Sequence, residues 1–491
     1  MAATFRRRLD NRWLRWQARL DSDWADRVLP LALSFGLFAL LVLMALAKAR
    51  SLDGTPDLAG YTQAAWLISE RYEPIVTSTI NAHVLSQQAA FGFYPIAYVT
   101  DFLPATATLL LVQSAALALV VVPLWRIARR RANLRVGATV TLVLAYCLYP
   151  AMHNLNLAGF HPETIALPAL MAAFYFGLGK RWWLFGGFCI IAVLMRADLG
   201  LAVAGFGGLL IVEKQRRAGS ITIAGGVGWT VFCGSVVQPL AGADSYAHVN
   251  AFAQFGTTPL SVGWGMLIHP LEVLTKLASE QNFNLLVILL APVLFLPVLA
   301  PRYLLPVVPL QFLYMVANVP SEAVFGQQTV AATAFVFLAT AFALSGIGRM
   351  GVEKVTVDRR VLWAVLLASV VFFIQSAASS PYRHPWDWGG RDATDLARTQ
   401  ASDLIDGSAS VRASPSMLTL LAERPMLFQL RIDEKPDPRA ASDGVDVVVV
   451  DEGSVAGWTA VERQIFHQGL LTLGFSQTYD QQGIDLYVRR K

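Results

Sequence analysis

The feature that most restricts this chain is a succession of long apolar runs separated by short loops. They fall at roughly 28–48, 106–127, 134–151, 164–179, 183–196, 199–213, 220–239, 284–300, 303–318, 328–347 and 361–377, about eleven in all. A hydrocarbon core offers no water to backbone N–H and C=O groups, so a spanning segment must satisfy them internally. The runs are continuous rather than alternating, which selects helices over a barrel. Composition agrees, since 55% of the 491 residues are hydrophobic and only 15% are charged, well outside the range of water-soluble domains. The expected fold is therefore an all-α polytopic membrane protein.

Basic residues orient the path. They cluster at Arg6-Arg7-Arg8, Arg126 to Arg131, Lys180-Arg181, Lys214 to Arg217, Arg302 and Arg349 to Arg360, largely on one side of an alternating path, and that side is predicted to be cytoplasmic. The same bias accounts for the net charge of +5 without a nucleic-acid partner. The path requires "AHVLSQQAAFGFYPIAYVTDFL", residues 82–103, not to cross; its Gln pair, glycine, proline and aspartate suit interfacial or re-entrant helices. Cys147, Cys189 and Cys233 are far apart inside apolar runs, as expected of small buried hydrophobes.

Phe5, Leu9, Trp13, Trp16, Leu20 and Trp24 recur at three- and four-residue steps among arginines, which predicts an amphipathic helix over 1–27 on the cytoplasmic leaflet. Ala45-Leu46-Ala47 resembles a signal-peptidase site, but the basic region and the apolar run before it are too long for a cleaved signal. A membrane domain over 28–377 follows, with its first outer loop at 49–105. After the linker "SSPYRHPWDWGGRDATD" the texture changes. "ASVRAS" and "VDVVVVDE" read as strands, Pro415 to Glu423 and Trp458 to Leu471 as helices, and the end as a hairpin. Residues 378–491 are expected to form a small extracytoplasmic α/β domain without a nucleotide-binding fingerprint.

Polar residues interrupt the apolar runs on one side of this topology. Asp53, Asp57 and Gln63 lie in the first outer loop, His83 after them, His161 and Glu163 in the second, Arg196 and Asp198 in the third. Ionisable groups at helix ends cost free energy unless solvated or paired, so their convergence predicts a polar pocket at the outer membrane surface. The runs flanking Arg196-Ala197-Asp198 are short for a crossing, placing that junction below the surface. His248 reads as a solvated loop residue.

"PDLAGYTQAAWLIS", "AHVLSQQAAFGFYPIAYV", "YPAMHNLNLAGFHPETIALPALMAAFYF" and "RADLGLAVAGFGGLLI" together resemble, in order and spacing, the DUF2079 family of bacterial membrane proteins, whose architecture is similar to the GT-C glycosyltransferases. The resemblance extends over roughly residues 50–350, and "SVRASPSMLTLLAERPMLF" extends it into the tail. It implicates Asp57, His83, His161 with Pro162 and Glu163, and Asp198. The chain departs from the family at Arg196-Ala197-Asp198, where Lys-Glu-Asp is usual, at Ala82-His83, where Asp-His is usual, and at Gln327-Gln328, where a His-Tyr pair is expected.

GT-C architecture implies transfer of a sugar from a polyprenyl-phosphate carrier in the bacterial inner membrane to an extracytoplasmic acceptor, with an acid of the first outer loop as base. Asp57, His161 and Glu163 are the catalytic candidates; His83, Arg196 and Asp198 are the substrate-binding candidates. Arg196 has the planar fork that suits phosphate, and Glu163 with Asp198 are possible ligands of a divalent cation. Each residue also has a structural reading. Asp57 suits a helix cap, His161-Pro162 with Glu163 suits a helix start, and Arg196 with Asp198 suits a structural ion pair. The rival functions are a non-catalytic scaffold with protein partners and a lipid or solute transporter, although no inverted repeat is visible.

Overall fold

Hydropathy registers side chains and is blind to missing backbone donors, and this separates the observed helices from the expected runs. The computed structural model describes residues 21–52, 54–243, 248–319, 326–351, 353–432, 435–455 and 457–490. Among them six helices are long and apolar enough to cross a membrane: Asp23–Arg50, Ala105–Arg130, Val136–Leu157, Arg216–Leu240, Val330–Ile347 and Arg359–Asp387. The chain is thus a multi-pass, mostly helical membrane protein, but the expectation of about eleven spans is corrected to these six. Three further runs form helices of 16, 14 and 14 residues, Glu163–Leu178, Trp182–Met195 and Leu199–Val212, short of the ~20 residues of a crossing.

The runs expected at 284–300 and 303–318 are not single helices. Glu280–Leu290 gives way to short 3-10 turns at Ala291–Val293, Leu296–Leu299 and Pro301–Leu304, with Leu294 and Phe295 left-handed, before the nine-residue helix Val308–Val316. Pro292, Pro297, Pro301 and Pro306 remove helix donors at four- and five-residue steps. Such backbone is tolerated at membrane depth where protein covers it, and Val293, Leu296, Pro297 and Tyr303 are buried. The amphipathic helix expected over 1–27 lies mostly outside the described residues. Ser22 caps the first described helix, and Trp24, inside it, is exposed.

The first span has two distinct ends. At its start, buried Arg129 donates to Asp26 and Asp21, each at 2.7 Å, while Lys354 reaches the Arg129 carbonyl and Arg131 that of Tyr175. The basic loops therefore gather there. At its far end Ser51 Oγ accepts from the Gly389 N–H at 2.6 Å and Arg391 binds the Arg50 carbonyl, so the C-terminal region sits at the opposite end.

That region carries a five-stranded mixed sheet. Strands β1 (Val411–Ala413), β2 (Leu427–Gln429), β3 (Val447–Asp451), β4 (Phe475–Gln481) and β5 (Ile484–Arg489) are ordered β2-β1-β3-β5-β4, with β1 parallel to β2 and β3 and the rest antiparallel. The helix Ala460–Thr472 follows expectation, whereas Pro415 to Glu423 holds only the 3-10 turn Pro415–Met417. Helix Pro56–Ser69, in the loop that follows the first span, is gripped between this region and the membrane helices. Gln63 donates to the Arg424 carbonyl and accepts from Ser78 N, and Thr77 Oγ1 accepts from Leu427 N at 3.0 Å. Residues 82–103 form only short pieces: the strand Ala82–His83, paired with Ile75–Val76, the helices Leu85–Gln88 and Phe93–Ala97, and a 3-10 turn.

Candidate functional site

Helix Trp182–Met195 stops at Arg196, whose backbone is extended, and Leu199–Val212 starts immediately after Asp198. This reversal leaves two charged side chains facing the first residue of helix Glu163–Leu178. Arg196 Nε donates to Asp198 Oδ1 at 2.7 Å and Nη2 to Oδ2 at 3.0 Å, a bidentate fork, while Nη1 donates to Glu163 Oε1 at 2.8 Å. Tyr314 donates its hydroxyl to Asp198 Oδ2, and the guanidinium lies 5.4 Å from the Tyr314 ring centre. Glu163 is fully buried, and Arg196 and Asp198 are 7% and 6% exposed. Two carboxylates thus meet one guanidinium away from water, and Glu163 Oε2 has no hydrogen-bond partner among the described residues. A buried charge set of this kind is costly unless fully paired.

His161 is brought to the same place, its Nδ1 4.0 Å from Glu163 Oε1. Its backbone is fixed by Gln113, fully buried inside the second span, whose Oε1 accepts from His161 N at 2.8 Å and whose Nε2 donates to the Gly159 carbonyl at 2.6 Å. Thr164 donates its N–H and hydroxyl to the His161 carbonyl. The helix-start geometry and the pairing with Arg196 therefore coexist. The preceding polar residues are structural: Asn154 and His153 bind the Ser376 carbonyl, Ala378 N and Ser379.

Asp57 is not a cap. Thr55 fills that position, accepting from Leu58 N at 3.3 Å. Asp57 is exposed in the first turn, with no hydrogen-bond or ion-pair partner among the described residues. One turn on, Tyr61 connects it to the cluster. Its phenol is held well above its usual range by removal from water, then by the negative charges of Glu163 and Asp57, with Arg196 opposing. The Tyr61 hydroxyl donates to Gln88 Oε1 at 2.9 Å, and the Gln88 carbonyl accepts from Ala197 N at 2.9 Å.

His83 is not brought to the cluster. It lies in a separate surface groove with Glu73, Phe91 and Phe232, its Nδ1 accepting from Leu85 N at 3.2 Å. Burial lowers its imidazole below the usual range, with Glu73 opposing. Asp53 lies outside the described residues. Gln63 serves the packing of its helix.

A cavity of about 150 Å³ opens beside the cluster, lined by Arg196, Asp198, Tyr314, Gln88, His248 and Gln328 among others. Tyr61, Gln88 and Tyr314 are not singled out by the sequence, and His248, exposed as expected of a loop residue, also lines the cavity. The spacing of Tyr61 four residues after Asp57 was the available signal for one of them. Glu163 and Asp198, expected as possible cation ligands, share Arg196 between them, and the described residues contain no group of three or more His, Cys, Asp or Glu side chains placed to hold an ion.

Broken helices with a buried charge cluster at one end, together with a sheet-bearing C-terminal region, make up a multi-pass, mostly helical membrane protein. The fold resembles that of ArnT from Cupriavidus metallidurans bound to undecaprenyl phosphate, at 11% identity and a TM-score of 0.52 over 95% of this chain and 98% of that one. Matches at lower TM-score include the mycobacterial arabinofuranosyltransferase AftD, at 15% identity and 0.46 over 93% of this chain and 40% of that one, and the Archaeoglobus fulgidus oligosaccharyltransferase, at 12% and 0.45 over 93% and 74%. The chain belongs to the DUF2079 family of predicted membrane proteins, whose model matches residues 48–485. No curated protein sequence matches it.

Proposed function

We propose that this protein is a GT-C-type glycosyltransferase of the bacterial inner membrane that moves a sugar from a polyprenyl-phosphate carrier to an extracytoplasmic acceptor. The observation that carries the reading is the buried Glu163–Arg196–Asp198 cluster beside a cavity that Arg196 and Asp198 line, at a break between two short membrane helices. A transporter uses broken helices in repeated halves, and a scaffold does not require the cost of a buried cluster of two carboxylates and one guanidinium. The GT-C-like fold supports the same choice.

In the proposed reaction the acceptor hydroxyl oxygen bonds to the anomeric carbon, the carbon–oxygen bond to phosphate breaks, and the electron pair leaves on the phosphate. Asp57, exposed and without a described partner, takes the hydroxyl proton. Arg196, with three N–H groups on carboxylates, holds Glu163 and Asp198 in place, and its charge is balanced by them before any phosphate arrives. Glu163 and His161 face the polar head of the donor. In this reading residues 378–491 form the extracytoplasmic domain.

The test uses the purified full chain with a pool of polyprenyl-phosphate-linked sugars and Asp57→Asn. Asn retains size, so stability should hold, but an amide cannot take the proton and turnover should fall about 10²–10⁴-fold. Unchanged turnover in Asp57→Asn would remove Asp57 from the chemistry. No consumption by either protein would favour the scaffold or transporter.

A further inference from the structure

Helix Arg216–Phe232 packs on Leu199–Val212 through glycines. A Cβ at Gly200 would stand 2.4 Å from the Gly226 carbonyl oxygen and one at Gly207 2.5 Å from that of Gly219. This close crossing leaves a trough of about 980 Å³ between these helices and Trp182–Met195. Its walls are apolar, with Ile190, Val193, Ile221 and Trp229. At Gly186 and Gly225 an added Cβ meets nothing within 4 Å, so the missing side chains widen it.

One end is different. Lys214, Arg216 and Arg217 line the trough there, all exposed, and their side chains make no hydrogen bond or ion pair with a described residue. The nearest acid in sequence, Glu213, is taken by Arg302 at 3.6 Å. Helix Arg216–Phe232 begins at the same point with no side-chain cap on its first amides, and such amides favour an anion. Three uncompensated cations therefore sit at the mouth of an apolar slot. From Arg216 to Trp229 the slot extends about 20 Å along the helix, enough for the ~15 Å depth of one leaflet.

We infer that this trough binds an anionic diacyl phospholipid of the leaflet on the basic-loop side. Its phosphate rests on Lys214, Arg216 and Arg217 and a chain runs along Ile190, Val193 and Ile221. The polar end lies at the opposite membrane face from the Arg196 cluster, because Trp182–Met195 runs from Trp182 in the trough to Arg196 at its far end. The bound lipid is thus distinct from the reacting carrier of the proposed function, whose head belongs at the opposite end of that helix.

The test is a native mass-spectrometric titration of delipidated full-length protein with dioleoylphosphatidylglycerol and dioleoylphosphatidylcholine. The glycerol lipid should bind at least tenfold tighter. The triple variant Lys214→Gln, Arg216→Gln, Arg217→Gln should lose about a hundredfold of that affinity, from roughly 1 kcal/mol for each basic residue at a membrane surface. Gly225→Phe, which fills the slot and keeps every charge, should weaken both lipids. Equal binding of the two lipids, or unchanged phosphatidylglycerol binding in the triple variant, would reduce the trough to ordinary annular contact. Competition by chain-free glycerophosphoglycerol at equal concentration, or displacement by undecaprenyl phosphate at lower concentration, would overturn a diacyl-lipid site. If the triple variant does not fold, the two-lipid comparison and Gly225→Phe still decide.

Discussion

Arg196 Nη1 lies 2.8 Å from Glu163 Oε1, across 33 residues of chain, and the contact ties the start of helix Glu163–Leu178 to the break after Trp182–Met195. Both side chains are almost fully withdrawn from water, so Glu163 depends on Arg196 for its countercharge, whereas Arg196 is held by Asp198 as well.

Arg196→Met should therefore be among the most destabilising single changes in the protein. It leaves Glu163 and Asp198 buried and uncompensated, a loss of about 3–5 kcal/mol. Arg196→Lys retains the charge but loses the fork, and should fall between wild type and Met. Thermal unfolding midpoints in one detergent give the order. Equal midpoints for Lys and Met would mean that charge compensation is not what holds the cluster.

Gln113 should couple packing to function although it reaches no substrate. Gln113→Leu leaves the Gly159 carbonyl and His161 N–H without the partners they now have at 2.6 and 2.8 Å, at about 1–3 kcal/mol for each stranded group. Both the unfolding midpoint and turnover should drop, since His161 and Glu163 ride on that loop. A drop in midpoint alone would detach the loop from the site.

The C-terminal sheet has a pH signature. Asp485 is pushed up to about 6, by burial first and then by Asp480, its cross-strand neighbour, with Gln477 opposing. A raised carboxylate favours the folded state below its unfolded value, near 4, and that contribution is lost as pH rises through about 6. Asp485→Asn should raise the unfolding midpoint at pH 8 by the equivalent of roughly 1–2 kcal/mol after allowance for partial solvent screening, and leave it nearly unchanged at pH 4. The same gain at both pH values would contradict the assignment.

Topology is testable at the C-terminus. A periplasm-active phosphatase fused after Lys491 should be active, because the sheet sits at the opposite end of the first span from Arg129 and the other basic loops. An inactive phosphatase together with a fluorescent cytoplasmic reporter at the same point would reverse the orientation.

Much of the membrane character was legible because apolar runs are long and bilayer physics leaves few alternatives. The runs at 284–300 and 303–318 misled because their prolines break the helix while the segment as a whole stays apolar. The polar residues of the outer loops were legible as types, but not in their grouping. Glu163, Arg196 and Asp198 converge because Arg196 takes an extended conformation between two short helices, a backbone choice that side-chain patterns do not record. His83 has the same residue chemistry as His161 yet is turned into another groove, since Leu85 holds its ring. Tyr314 follows a proline-broken segment whose path no periodicity predicts.

The most direct test of the reaction centre is the rate of polyprenyl-phosphate-sugar consumption by the purified chain and by Glu163→Gln, measured with the unfolding midpoints of both. Gln keeps the shape and can still accept from Arg196 Nη1, while Arg196 retains Asp198. If Glu163 acts on the donor, turnover falls about a hundredfold or more with the midpoint moved by only a few degrees. Full turnover in Glu163→Gln, or no consumption of the lipid-linked sugar by the wild-type chain, would contradict the account.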